Sequence, residues 1–357
     1  NGYSMSATNT NAKRYMKLFV YLPVALHPDM KSALLISYGV GMTAKALTDT
    51  AGLESIDMVD ISRDVFQMNE IIYSDPGTLP TADPRVNVHI EDGRYFLETT
   101  KKRFDLITGE PPPPKMAGVV SLYTREYFAL VRDRLREGGI ATYWLPSHAV
   151  SPSDAKSIIR AFCDVFDDCS LWGGAGLDWI LLGTRGAQGP GSGDRFARQW
   201  RDPAVRSEIV GLGIETPEQM GALFRADAGR LREIAGERPP LTDDRPKRLS
   251  DQPFDVQSDF RTYLPWMDPT TTRNAFEQSD WIARVWPSEL SNPSLSYFPV
   301  QEQIHHVLIV GPQQLDAALP TIHALLTGSS LATLPLWMLA SNASRQTAAK
   351  SARDRGQ

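Results

Sequence analysis

Between residues 32 and 186, short β-type runs alternate with helical patterns, and this alternation limits the possible folds more than any other feature. The runs are Ser32–Gly39, Ser55–Ser62, Val86–Asp92, Phe104–Glu110, Ile140–Pro146, Cys169–Gly174 and Asp178–Arg185. Several are almost continuously apolar, as strands covered on both faces of a parallel sheet must be. Leu122–Arg136 and Ser153–Phe166 read as helices between them. In the second, Ile158, Ile159, Phe162, Val165 and Phe166 make one apolar stripe behind Pro152 and Asp154. The pattern predicts an α/β fold built on a Rossmann-like, doubly wound, seven-stranded sheet. Only Gly174–Leu177 separate the last two runs, so these should pair antiparallel and close the sheet edge.

The flanks read differently. Residues 1–30 are expected to be the remnant of an N-terminal region with a lead-in helix, Lys13–Leu26, interrupted at Pro23. The Rossmann-like domain then covers 31–186. Gly186–Asp194 has the composition of a flexible linker, and residues 187–269 follow as linker and helical extension. Residues 270–357 form a mostly helical C-terminal region, marked by Trp281, Trp286 and Trp337, whose basic end from Arg345 to Gln357 should fray.

Composition removes several function classes. With 42% hydrophobic and 22% charged residues among 357, the chain has the balance of a globular protein rather than a disordered one. Lys and Arg number 37 against 42 Asp and Glu, a net charge of −5 that gives no footprint for nucleic acid and tolerates a cationic substrate. Cys163 and Cys169 are too few for a disulfide framework or a Cys-rich metal site. They are expected as two packed thiols in a reducing compartment, and hence in the cytoplasm. His305-His306 has no ligand companion at useful spacing, so no metal site is expected. No window approaches the roughly 18 consecutive apolar residues of a membrane helix, and no signal peptide is visible. A start at Asn1 rather than Met suggests a piece of a longer parent.

The first run leads into Tyr38-Gly39-Val40-Gly41-Met42-Thr43-Ala44 ahead of a helical pattern. In a G-x-G-x-x-G/A turn the glycines permit a tight bend and close approach of a ligand to the helix N-terminus. Asp60 closes the second run 21 residues after Gly39, where a carboxylate can accept both ribose hydroxyl protons. Together they place a nucleoside at the carboxyl ends of the first two strands. Glu91-Asp92-Gly93 ends the third run. An acid there can accept from an adenine amino group, or Asp92 can simply cap the next helix. The fourth run passes into Glu110 and then Pro111-Pro112-Pro113-Pro114, which forbid a helix and hold an extended segment. Glu110, preceding proline, is itself driven towards extended geometry. A carboxylate on a stiff support thus stands at the ligand crevice of the sheet. His148, after the fifth run, could reach that crevice or face solvent.

Several phrases act as a set: Tyr15 with Leu22-Pro23 and His27-Pro28, the glycine turn, Val59-Asp60-Ile61, Asp83-Pro84-Arg85-Val86, Glu91-Asp92-Gly93-Arg94, and Leu122-Tyr123-Thr124-Arg125-Glu126-Tyr127-Phe128 followed by Gly138-Gly139. On these, residues 15–185 resemble the catalytic domain of the spermidine/spermine synthases, the polyamine aminopropyltransferases. Glu110 with its prolines, Ala117-Gly118-Val119, Tyr143-Trp144-Leu145-Pro146 and Thr242-Asp243-Asp244-Arg245-Pro246 look like the large bacterial branch in which this domain follows a membrane-spanning region.

The resemblance implies a sheet of the S-adenosylmethionine-dependent methyltransferase type. It implies decarboxylated S-adenosylmethionine, or S-adenosylmethionine itself, as co-substrate, with no metal. Gly39, Gly41 and Asp60 would hold the methionine-derived tail and ribose, Asp92 would face the adenine, and Tyr38, Ile61, Glu91 and Gly93 would be further contacts. Glu110 stands where the family has its catalytic acid, the acceptor of the amine's proton. Tyr15 and Tyr123 match aromatic positions of the polyamine groove, and Asp243 and Asp244 are candidate amine holders. The chain departs from simple spermidine synthases in three places. Val40-Gly41-Met42 lacks the acid of an Asp-Gly pair, the prolines replace a second carboxylate, and Met16-Lys17 replace a polar-acidic pair, so that Lys17 would repel a diamine if it faced the groove. The expected partner is a small-molecule amine, without nucleic acid or a membrane segment in this chain; a membrane-tethered parent and a homodimer stay open. A methyltransferase on the same sheet, or a non-catalytic S-adenosyl-ligand-binding domain, are the alternatives, and a dinucleotide oxidoreductase ranks last.

Overall fold

The computed structural model describes residues 8, 10–114, 118–244 and 262–298. A single eight-stranded sheet runs in the order β3-β2-β1-β4-β5-β7-β6-β8. Its strands are β1 Ser32–Ile36, β2 Ser55–Asp60, β3 Val86–Ile90, β4 Phe104–Gly109, β5 Leu135–Pro146, β6 Ser170–Ala175, β7 Asp178–Thr184 and β8 Phe224–Ala226. The first five are parallel, and β7, β6 and β8 pair antiparallel.

The sheet is Rossmann-like and doubly wound, as the alternation predicts, but it has eight strands. The additional β8 spans three residues, too short for a periodic signal, and it covers the free side of β6. The β6–β7 pair is therefore not the edge.

Alternate residues of β1 feed different cores. Ala33 and Leu35 join one apolar cluster and Leu34 and Ile36 the other, which explains the unbroken apolar run in the sequence. One face carries α1 Thr10–Leu26 and α2 Met42–Asp49. Two short helices, α3 Arg63–Gln67 and α4 Asn69–Ile72, follow β2. The other face carries α5 Gly93–Thr99, α6 Arg125–Arg134 and α7 Pro152–Cys163. Helix α6 stops before the sequence pattern suggests, because Leu135 enters β5 opposite Phe104.

Three expectations change. First, α1 is not interrupted at Pro23 and does not stand apart: Leu18 to Leu22 are fully buried in the first core. Pro23 cannot donate to the carbonyl of Phe19, and a helix interior normally suffers for that. Here the Thr142 hydroxyl of β5 donates to the Phe19 carbonyl at 2.8 Å instead. Second, the glycine-rich stretch after β7 is packed rather than free. A Cβ on Gly189 would fall 2.5 Å from the Val285 carbonyl oxygen, and the Gly193 amide donates to Glu289. Helices Pro269–Gln278, Asp280–Val285 and Ser288–Leu295 follow, and Trp281 and Trp286 pack on Trp172. Third, Cys163 and Cys169 form a disulfide, not two thiols. The chain turns back from the end of α7 into β6 and brings their Cα atoms to 5.4 Å, within bonding range. That removes the basis on which a reducing compartment was expected. His305, His306, Trp337 and Arg345–Gln357 lie outside the described residues.

Candidate active site

The parallel strands end on one rim, and the turn after β1 shapes it. Ser37, Gly39 and Gly41 have φ of 73°, 57° and 75°. Gly41 starts α2 in the left-handed region, and a Cβ there would lie 2.6 Å from the Tyr38 hydroxyl oxygen. Only glycine fits. Ser37 is a non-glycine residue in the same region, a strained placement of the kind found at ligand clamps.

Asp60, at the end of β2, accepts from the Tyr38 amide at 2.8 Å and the Ser62 amide at 2.9 Å. It thereby ties the glycine turn to β2, and a carboxylate has further lone pairs for a ligand. Ile61 beside it is 74% exposed, an apolar surface on the rim where the sequence expects a nucleoside. The Glu91 amide donates to the Asp60 carbonyl at 3.1 Å, drawing β3 to the same rim. Asp92 caps α5, accepting from the Arg94 and Tyr95 amides at 2.9 Å each. Gly93 allows α5 to start against β1, since a Cβ would meet Ile36 at 2.5 Å. Its place follows from packing.

Glu110 extends β4 by one residue, its amide donating to the Ile36 carbonyl at 3.2 Å. Its side chain turns into a small cavity of about 30 Å³ lined by Tyr15, Met16, Ser37, Tyr38, Gly39, Thr43, Glu110 and Trp144. That is room for a water molecule or two. Burial pushes the Glu110 carboxyl up from 4.5 to about 8; the Thr43 hydroxyl opposes the shift and Asp178 adds to it. Tyr15 stacks on Trp144 with centroids 5.7 Å apart and planes 6° from parallel. Its phenol is raised by burial and by Glu110 and Asp178.

Residues 12–172 match the family model of the spermine/spermidine synthase domain. Over that stretch the chain is similar to the spermine/spermidine synthase family. The polyamine aminopropyltransferase of Nitrosomonas europaea is 29% identical over 152 residues, 43% of this chain and 46% of that one. The polyamine aminopropyltransferase of Alkaliphilus oremlandii is 32% identical over 160 residues, 44% of this chain and 54% of that one. The crystal structure of the Thermotoga maritima spermidine synthase aligns with TM-score 0.44 and 20% identity over 51% of this chain and 62% of that one. The chain spans about half the length of the curated relatives it matches. The membrane-fused branch suggested by the sequence is not borne out by these matches, and among the described residues no helix is long and apolar enough to cross a membrane.

Several expected residues take other roles. Tyr123 is fully buried, donates to the Pro111 carbonyl at 3.2 Å and meets Tyr143 edge-on. It braces the segment behind Glu110 and is not in the cavity wall. Asp243 is not a free amine holder. Its carboxylate accepts from Arg94 at 2.9 Å and from the Thr124 hydroxyl at 2.7 Å, and Arg94 holds it below the usual carboxylate range. Asp244 is exposed next to it, and Arg245-Pro246 lie outside the described residues. Lys17 does not face the groove: it pairs with Glu208. Among the described residues no group of acids, histidines or cysteines is arranged to hold a metal.

Three contributors were missed. Thr43 donates towards Glu110, Trp144 walls the cavity, and Asp178 sits beyond Trp144. Asp178 had a signal: the two-residue turn Gly176-Leu177 after β6 returns position 178 to the level of Pro146, the carboxyl end of β5.

Proposed function

We propose that this chain transfers an aminopropyl group from decarboxylated S-adenosylmethionine to a small-molecule amine, with Glu110 as proton acceptor. The observation that carries the reading is the buried Glu110 carboxyl in one cavity with the glycine turn. A proton-accepting group thereby stands beside the segment suited to an S-adenosyl tail.

An alkylamine is overwhelmingly protonated at pH 7, with a lysine-like pKa near 10.4. Nitrogen cannot attack carbon until that proton leaves. An arriving ammonium favours ionised Glu110 and draws its raised pKa down. Glu110 then takes the proton, and the freed nitrogen pair forms the nitrogen–carbon bond as the carbon–sulfur bond breaks, its pair returning to sulfur as a neutral thioether. A base tuned near the working pH suits that task. Tyr15 and Trp144 supply aromatic faces to the cation. Asp60 would hold the ribose, Ile61 the base, and Gly39 and Gly41 the tail, and alignment of the reacting atoms contributes further.

The test supplies both intact and decarboxylated S-adenosylmethionine with a set of amines and identifies products by mass spectrometry. Aminopropylated amine and methylthioadenosine from the decarboxylated donor support the reading. Methylated product from the intact donor alone assigns a methyltransferase.

A further inference from the structure

Asp243 lies outside the Glu110 cavity, yet residues 241–243 are fastened to the rim of the sheet at several points. Leu241 is buried, and its carbonyl accepts from the Arg125 amide at 2.9 Å. The Asp243 amide donates to Glu126 Oε2 at 3.0 Å. The Asp243 carboxylate accepts from the Thr124 hydroxyl and, with both oxygens, from the Arg94 guanidinium. Residues 241–243 thus form a strap over the start of α6, and the strap ends on Arg94 in the first turn of α5.

Arg94 is held from two sides. Its amide and that of Tyr95 donate to Asp92, both to Oδ1 at 2.9 Å. Its guanidinium goes to Asp243, and Nη1 also donates to the Ser121 carbonyl at 3.2 Å. Because both amides use Oδ1, Oδ2 of Asp92 keeps its acceptor capacity for a ligand. The Arg94 and Asp243 side chains are 22% and 34% exposed, and ion pairs so open to water contribute little stability. What a bidentate guanidinium–carboxylate fork supplies is direction. Resting on the part of the proposed function that seats an S-adenosyl nucleoside at this rim, we propose that Asp243, acting through Arg94, is a positioning residue for donor recognition. The pair fixes the first turn of α5, so that Asp92 Oδ2 meets the amino group of adenine in the geometry of a charge-assisted hydrogen bond. Residues 241–243 then help select the base without touching it.

The experiment uses the full chain and measures Kd by calorimetry for two probes, methylthioadenosine and methylthioinosine. The second carries an oxo group in place of the adenine amino group. The wild type should bind methylthioadenosine about tenfold more tightly or better, the size of one charge-assisted contact. Asp243→Asn should reduce that ratio by about threefold or more and leave the methylthioinosine Kd within about twofold, which also shows that the variant is folded. Arg94→Gln should reduce the ratio equally, and the double variant no further. Equal weakening of both nucleosides in Asp243→Asn assigns the pair to the fold alone and overturns the inference. An unchanged ratio, or a wild type that binds the two alike, overturns it as well. A wild type that binds neither nucleoside overturns the seating of the donor and this inference with it. A wild type that binds methylthioadenosine but transfers to no amine overturns aminopropyl transfer alone, and the ratio still decides the role of Asp243.

Discussion

Thr43 stands between Glu110 and the Met16 carbonyl, which its hydroxyl reaches at 3.0 Å. A hydroxyl has one proton to give. When Glu110 is a neutral acid it can donate to Thr43, which donates on to Met16. When Glu110 ionises, Thr43 must turn its proton towards the carboxylate. The same residue thus serves both states of the proposed base.

Thr43→Val removes that donor with little change of shape. The donor holds the Glu110 carboxyl down, so its loss raises the pKa further. Activity needs the ionised form, so kcat/KM should rise with pH through a limb near 8 in the wild type and through a more alkaline one in Thr43→Val. That ratio reports the free enzyme. The kcat limb should lie lower, because a bound ammonium favours the carboxylate. A pH–rate profile unmoved by Thr43→Val would separate Thr43 from the base.

Glu110 should also govern stability against pH. Its folded pKa, about 8, exceeds the ordinary 4.5, so between these values the folded chain holds a proton that the unfolded chain has lost. Stability contributed by this group is complete below about pH 4.5 and falls as pH rises to 8. Glu110→Gln stays neutral throughout, so urea unfolding of the variant should show a flatter pH dependence and higher stability at alkaline pH, by up to a few kcal/mol. Parallel curves for the two proteins would contradict the buried, raised acid.

Thr142 and Pro23 form a compensating pair through the Phe19 carbonyl. Thr142→Val alone should cost about 1–3 kcal/mol, the penalty of an unsatisfied buried acceptor. Adding Pro23→Ala restores a helix N–H four residues after Phe19 and should recover much of the loss. Additive effects in that double-mutant cycle would refute the compensation.

The Cys163–Cys169 bond closes a short loop, with a sequence separation of 6. Alkylation of the denatured, unreduced protein should add no mass, and prior reduction should add two adducts. Reduction should lower the unfolding free energy by about 2 kcal/mol on loop-closure grounds. Two adducts without reduction would restore the pair of thiols.

What the sequence could reveal followed from whether a residue's role is local. Leu34 and Leu35 face opposite cores, and an unbroken apolar run is the visible consequence. Gly41 is legible because its turn needs a backbone that other residues resist. Glu110 is legible because the prolines leave it no helix to join. Asp178 depends on β7 returning beside β5, and Asp243 depends on a partner far along the chain, Arg94. Pro23 reads as a helix break because its compensating hydroxyl lies in β5, and β8 is too brief to show a period. Contacts of that range have no one-dimensional signature.

The most direct measurement is a comparison of the wild type with Glu110→Gln, following methylthioadenosine binding by calorimetry and aminopropyl transfer in a single turnover. The proposed mechanism predicts binding within about threefold of the wild type and a transfer rate lowered at least about hundredfold, the weight of a lost general base. A Glu110→Gln variant that transfers at the wild-type rate would contradict it.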